Sequence, residues 1–273
     1  MNPYATPLEK VWFWAFRLFC VGVLVFLIVP ILVIVPLSFN SSSFLSYPLA
    51  GVSLRWYHEL FASDEWMSSI RNSFIVAPAA TLLATTFGTL AAVGLTRGNF
   101  PGKAVVMGIL ISPMVVPTVI VGVGMYFFFA EQHLLNTYSG LILAHAALGV
   151  PFVIITVTAT LQGYNYNLSR AAASLGAPPL TTFFRVMLPL IAPGVISGAL
   201  FAFATSFDEV VVTLFLAAPA QRTLPMQMFA GIRENISPTI AAIATLLITL
   251  SVCMLLTMEW LRRRNEKLRG SGI

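Results

Sequence analysis

Long apolar runs alternate with short polar breaks along this chain, and that alternation sets the expected elements. Apolar residues dominate positions 11–39, 66–96, 104–130, 140–161, 190–218 and 238–261. Each run meets the length of about 20 residues that a helix needs to cross a bilayer. The expectation is an all-α membrane protein with six transmembrane helices in one domain, residues 11–262. A short segment, 1–10, precedes it and a basic tail, 263–273, follows. The first run is too long for the apolar core of a cleaved leader and reads as a retained span. Pro113 and Pro117 interrupt the third run and Pro151 lies in the fourth, which membrane helices tolerate. The loop 40–65 has an amphipathic patch around Trp56 and Tyr57 and suits an interfacial helix. Residues 219–237 read as a loop.

One interruption differs from the others. Residues 163–189 contain YNYNLSRAAASLGAPPLTTFFRVMLP, polar to mixed and longer than a turn. Small residues and helix formers around Arg170 to Leu175 predict a short helix. Gly176 and the pair Pro178-Pro179 stop it, since proline has no N–H to donate and restricts the residue before it. Thr181 or Thr182 is then expected to cap a second turn carrying Phe183, Phe184, Val186 and Leu188. A helical knuckle between spans, with an exposed apolar side, is suited to being gripped by another protein.

Composition sharpens the class. The chain of 273 residues is 58% hydrophobic and 9% charged, far from the roughly 25% charged residues of soluble domains. The net charge of +5 does not argue for nucleic acid, because much of it lies in the tail LRRRNEKLR directly after an apolar run. With the N-terminus inside, inner segments hold eleven Lys and Arg residues and outer segments hold four. The bias places both termini and the knuckle in the cytoplasm. The two cysteines, Cys20 and Cys253, sit inside apolar runs, so neither a disulfide scaffold nor a metal site is expected.

The polar residues offer little catalysis. RGNFPGK at 97–103 fails as a phosphate-binding loop. Only three residues separate Gly98 from Gly102, and Ala104 stands where Ser or Thr should hold magnesium. No nucleophile and base converge at a known spacing, so an enzyme is not expected. His145, alone in an apolar run, reads as a helix-packing histidine; a gating or substrate role is the alternative. Asp208 and Glu209 are more informative. They follow Leu190 by about 18 residues of expected helix, roughly 27 Å along its axis, with apolar sequence continuing beyond. An acid at such depth usually faces a cavity or partner, and a carboxylate in a transport path suits a cation. Asp208 is expected on the same helix face as Ala204 and Phe201, with Glu209 a step round. Phe201 and Phe207 are candidates for the same path, although packing is their commoner role. The competing readings are a structural pair between the acids and Arg71 or Arg222, or simple interfacial exposure.

At this point the knuckle resembles the cytoplasmic signature loop of ABC importer permeases, E-A-A, three residues, G, nine residues, I-x-L-P. Arg170-Ala171-Ala172 is followed after three residues by Gly176, and nine residues further on by Val186-Met187-Leu188-Pro189. Arg170 replaces the motif's Glu and Val186 its Ile. The stretches LPLIAPGVISGALFAFATSFDEVVVTLFL and TLPMQMFAGIRENISPTIAAIATLLI look like the second permease subunit of spermidine/putrescine importers. The resemblance implies the type I ABC importer permease fold in a bacterial inner membrane, with a coupling helix between spans four and five. It implies a second permease subunit, a cytoplasmic ATPase dimer that uses ATP and Mg, and an external substrate-binding protein; no cofactor is expected on this chain. Coupling to the ATPase would fall to Arg170, Ala171, Ala172, Leu175, Gly176, Phe183, Phe184 and Pro189. Substrate would pass Asp208, Glu209, Phe201 and Phe207. Another solute (an opine or amino-acid-derived cation, ferric iron, thiamine) and a stand-alone secondary transporter remain as alternatives.

Overall fold

The computed structural model describes residues 6–234 and 236–270, with side chains to Cys253 and at Leu256. Residues 1–5 of the N-terminal segment, residues 271–273 and the side chains of the basic tail lie outside that description. Helices make up most of the described chain, and its only strand-like feature is an isolated bridge between Asn40 and Val52. The helices group into two units, one from residues up to Ser63 plus those from Gly231 onward, the other from Asp64 to Ala230.

In the first unit, α1 (Pro7–Leu37) opens with a capping box: Thr6 accepts from the Glu9 N–H, and Glu9 accepts from the Thr6 N–H. None of its residues is buried, as befits an apolar helix whose solvent is lipid. After α1, the Asn40 side chain organises a loop. Its Oδ1 accepts from the N–H groups of Ser42 and Ala50, each at 3.2 Å. The loop leads into α2 (Arg55–Ala62), which packs on α12 (Pro238–Gly270). α2 is the helix expected near Trp56, but Trp56 does not face outward as an interfacial anchor. It is buried, and its indole N–H donates to the Asn40 carbonyl at 2.6 Å. Burial of a tryptophan requires such a partner.

The second unit is built on three long helices, α3 (Asp64–Arg97), α6 (Tyr138–Gln162) and α9 (Leu188–Phe207). Small residues let their backbones approach. A Cβ at Gly198 would lie 2.8 Å from the Val153 Cα, and one at Gly149 would lie 3.0 Å from the Ala202 Cβ. Ala80, Ala84, Val153, Val157, Ile191 and Ala202 fill the seam.

One expectation is made specific here and two are corrected. The third apolar run is broken at its prolines, as the sequence indicates, and the break is sharp: α4 (Lys103–Val115) and α5 (Thr118–Glu131) are bent by 108°. Pro117 forces the bend, since Val116 before it is extended at φ −72°, ψ 135°. The fifth run is also interrupted: α9 stops at Phe207, Asp208 and Glu209 lie in a break, and α10 (Val211–Leu216) resumes. The span 219–237 is not a plain loop, for α11 (Leu224–Glu234) occupies much of it. Among the described residues four helices are continuous, long and apolar enough to cross a membrane, a fifth crossing follows if α4 and α5 act as one broken span, and α12 begins with the apolar stretch Pro238–Cys253.

Candidate functional site

Two regions of the second unit contain the residues singled out by sequence. The first is the knuckle. α7 (Tyr166–Ser174) is capped by Asn165, whose side chain accepts from the Asn167 N–H at 3.0 Å. Its other end closes with Gly176 at φ +82°. The Gly176 N–H donates to the Ala173 carbonyl at 2.9 Å and the Ala177 N–H to the Ala172 carbonyl at 3.1 Å. That pair of bonds is the Schellman closure, which glycine makes without a Cβ penalty.

The second half of the knuckle differs from expectation. α8 (Pro179–Thr182) starts at Pro179 with Pro178 in the cap position, and neither Thr181 nor Thr182 caps it. Nor is it a separate short helix. It runs through a π-helical turn, Phe183–Met187, directly into α9. Pro189 accounts for the wide turn. A proline clashes with the carbonyl four residues back and donates no bond, and widening the turn lets the Leu188 N–H reach the Phe183 carbonyl instead. The motif's last residue therefore shapes the helix rather than ending it.

Of the residues assigned to coupling, Arg170, Ala171, Leu175, Gly176, Phe184 and Pro189 are exposed, while Ala172 is half-buried. Leu175 is 88% exposed and Phe184 59%. Phe183 turns inward against the core and meets the Phe184 ring edge-on at 5.0 Å. Leu180, 72% exposed, was not picked out by the sequence; its signal is an apolar residue immediately after a proline pair, outside any span. Leu168 on α7 is exposed as well.

The second region is the break at the end of α9. Asp208 is exposed. Asp208 is the C-cap of α9, and its N–H still donates to the Ala204 carbonyl at 3.1 Å, so it keeps the register with Ala204 expected from the sequence. Glu209 is half-buried and has a structural role: its Oε1 accepts from the Val212 N–H at 2.8 Å, a charged cap on α10. Neither acid pairs with Arg222, which donates to Gln227 at 3.4 Å. Phe207 stacks on Phe203 with centroids 5.5 Å apart and meets Phe74 of α3 edge-on at 5.8 Å. Phe201 stacks instead on Phe152 at 6.1 Å. Asp208 thus follows directly on a cluster of three rings to which Phe201 does not belong.

His145 holds the break in place. It is fully buried, with Nδ1 2.9 Å from Ser206 Oγ and 3.1 Å from the Ser206 carbonyl, and Nε2 3.0 Å from Thr213 Oγ1. Thr213 also donates to the Glu209 carbonyl at 3.3 Å. One imidazole on α6 therefore ties the last turn of α9 to the first of α10.

A helical membrane bundle with a broken third span, an interrupted fifth and an exposed helical knuckle between them has the architecture of a type I importer permease. The chain superimposes on a chain of a bacterial ABC transporter involved in the import of the acidic polysaccharide alginate with a TM-score of 0.77. That match covers 95% of this chain and 99% of the other at 15% identity. The chain belongs to the family of binding-protein-dependent transport system inner membrane components, which matches residues 84–267. It is thus a multi-pass inner-membrane transport permease. It is 31% identical to the spermidine/putrescine transport system permease protein PotC of Shigella flexneri, over 93% of this chain and 95% of that protein. It is 36% identical to the putrescine transport system permease protein PotI of Escherichia coli K12, over 82% of each.

Proposed function

We propose that this chain is one of two permease subunits of an ATP-driven polyamine importer. A second permease lies beside it, a cytoplasmic ATPase dimer drives it, and an external binding protein delivers putrescine, spermidine or a close relative. The observation that carries the substrate class is the exposed carboxylate of Asp208 directly after the Phe74–Phe203–Phe207 ring cluster. A carboxylate offsets the charge of an ammonium group, and ring faces attract the same group through their quadrupoles. The names of the relatives PotC and PotI point the same way.

The Lys and Arg bias supports both termini and α7 on the cytoplasmic side. There Leu175, Leu180 and Phe184 offer an apolar surface to the ATPase. Closure of the ATPase dimer on ATP shifts the knuckle, and the spans alternate between outward-open and inward-open states. Glu209 holds α10 rather than the substrate.

The test is uptake of labelled putrescine and spermidine by a strain expressing all the subunits, with unlabelled competitors. Asp208→Asn should reduce polyamine uptake at least tenfold while the assembled complex keeps its ATPase. Unchanged uptake would remove Asp208 from the path. Competition by an oxyanion and not by diamines would overturn the substrate class, and uptake without ATP would overturn the coupling.

A further inference from the structure

Beside the knuckle, where α7 faces the end of α3, a cavity of about 440 Å³ is lined by Thr96, Arg97, Tyr166, Ser169, Arg170 and Ala173. Its free polar groups are donors. The Thr96 hydroxyl donates to the Ala92 carbonyl at 2.7 Å, and the Ser169 hydroxyl is paired with Tyr164 at 2.7 Å. That leaves two guanidiniums, both on exposed residues, because the Tyr166 hydroxyl is buried away from the accessible surface. The Arg97 guanidinium stands over the Tyr166 ring, 5.9 Å from its centre. None of the lining residues is an acid. Two like charges on one cavity repel each other until an anion joins them, and a guanidinium is the side chain best shaped to grip a carboxylate with two parallel bonds.

The faces of α7 add to this. At 100° per residue, Tyr166, Ser169, Arg170 and Ala173 share one side, while Leu168, Ala171 and Leu175 share the opposite side. One exposed helix thus offers an apolar strip for anchoring and a cationic pocket for recognition. Such pairing is typical of protein interfaces, where a buried apolar anchor sits beside charges that fix the partner. We propose that the cavity receives an acidic side chain of the partner ATPase, clamped by Arg97 and Arg170. This inference rests on the reading of α7 as the docking element. It gives the replacement of the motif's Glu by Arg170 a consequence: the charge required of the partner is reversed, and an ATPase carrying a cation at that place is excluded.

The test uses the full complex of both permeases and the ATPase in lipid nanodiscs, measuring ATPase affinity at low and high NaCl. Arg97→Gln combined with Arg170→Gln should weaken ATPase binding by about tenfold or more and flatten its salt dependence. Arg170→Glu should weaken it further, and reversing one acid of the ATPase groove to Arg should restore binding only to that variant. Arg170→Glu binding as wild type does would overturn the proposal. So would unchanged ATPase binding accompanied by loss of co-purified anionic lipid, which would assign the cavity to a headgroup. Leu175→Asp separates the two levels. If it abolishes docking while the arginine variants do not, only the acidic clamp fails. If neither affects docking, α7 is not the docking element.

Discussion

Replacing Gly176 separates backbone strain from surface chemistry. The residue sits at φ +82°, and a Cβ built on it would meet nothing within 4 Å. A side chain there is strained by its own backbone and not by neighbours. An L residue in the left-handed region loses about 1–2 kcal/mol, with Asn and Asp the mildest cases and β-branched residues the most severe. A loss of that size changes a local equilibrium by roughly 5- to 30-fold. The reversal joining α7 to α8 should therefore weaken in the order Gly, Asn, Ala, Val. Gly176→Asp has the backbone tolerance of Asn but sets a carboxylate between the exposed Leu175 and Leu180. The assay is substrate-stimulated ATP hydrolysis by the reconstituted importer, with membrane level and retained ATPase as controls. Gly176→Asn should keep most of the stimulation, Gly176→Ala a fraction of it, and Gly176→Val almost none. Gly176→Asp should fall well below Gly176→Asn. Equal activity for Asn and Val would refute the conformational reasoning, and equal activity for Asp and Asn would refute an apolar docking surface.

Three further outcomes are expected. Glu209→Gln removes the charged cap on the Val212 N–H and should cost about 1 kcal/mol, read as a lower thermal midpoint of the detergent-purified complex with polyamine selectivity unchanged. His145→Ala leaves the Ser206 and Thr213 hydroxyls without their imidazole partner and should cost about 1–3 kcal/mol; a midpoint equal to wild type would show that the tie across the break carries no weight. Gly198→Val drives a branched side chain against the Val153 Cα, already 2.8 Å from the Cβ position. Overpacking of that kind costs about 1–3 kcal/mol, visible as reduced membrane level, whereas Gly94→Val, where a Cβ meets nothing, should be neutral.

What the chain revealed before its structure depended on how local each determinant is. The chain reversal at Gly176 was legible because a glycine followed by two prolines allows few backbone paths. The bend at Pro117 was half legible: the proline was visible, but hydropathy runs through it unbroken and cannot distinguish a straight span from two helices at 108°. The break at Asp208 was hidden for the same reason, since residues 210–218 are as apolar as those before it. Its cause lies in side chains far apart in sequence. His145 reaches Ser206 and Thr213 across separations of 61 and 68 residues, and no window on the sequence contains all three. The exposure of Leu180 and the inward turn of Phe183 likewise follow from the π-helical turn, which depends on Pro189 several positions further on.

The union of α8 with α9 has a mechanical consequence. From Pro179 to Phe207 the chain is one helix of 29 residues, roughly 43 Å long. One end carries the exposed Leu180 and Phe184, and the other stops at Asp208. A rod of that length is a lever arm: each degree of tilt about its Pro179 end displaces the far end by about 0.75 Å. Small movements imposed on the knuckle would thus arrive, magnified, at the one place in the rod's path where the backbone is already broken.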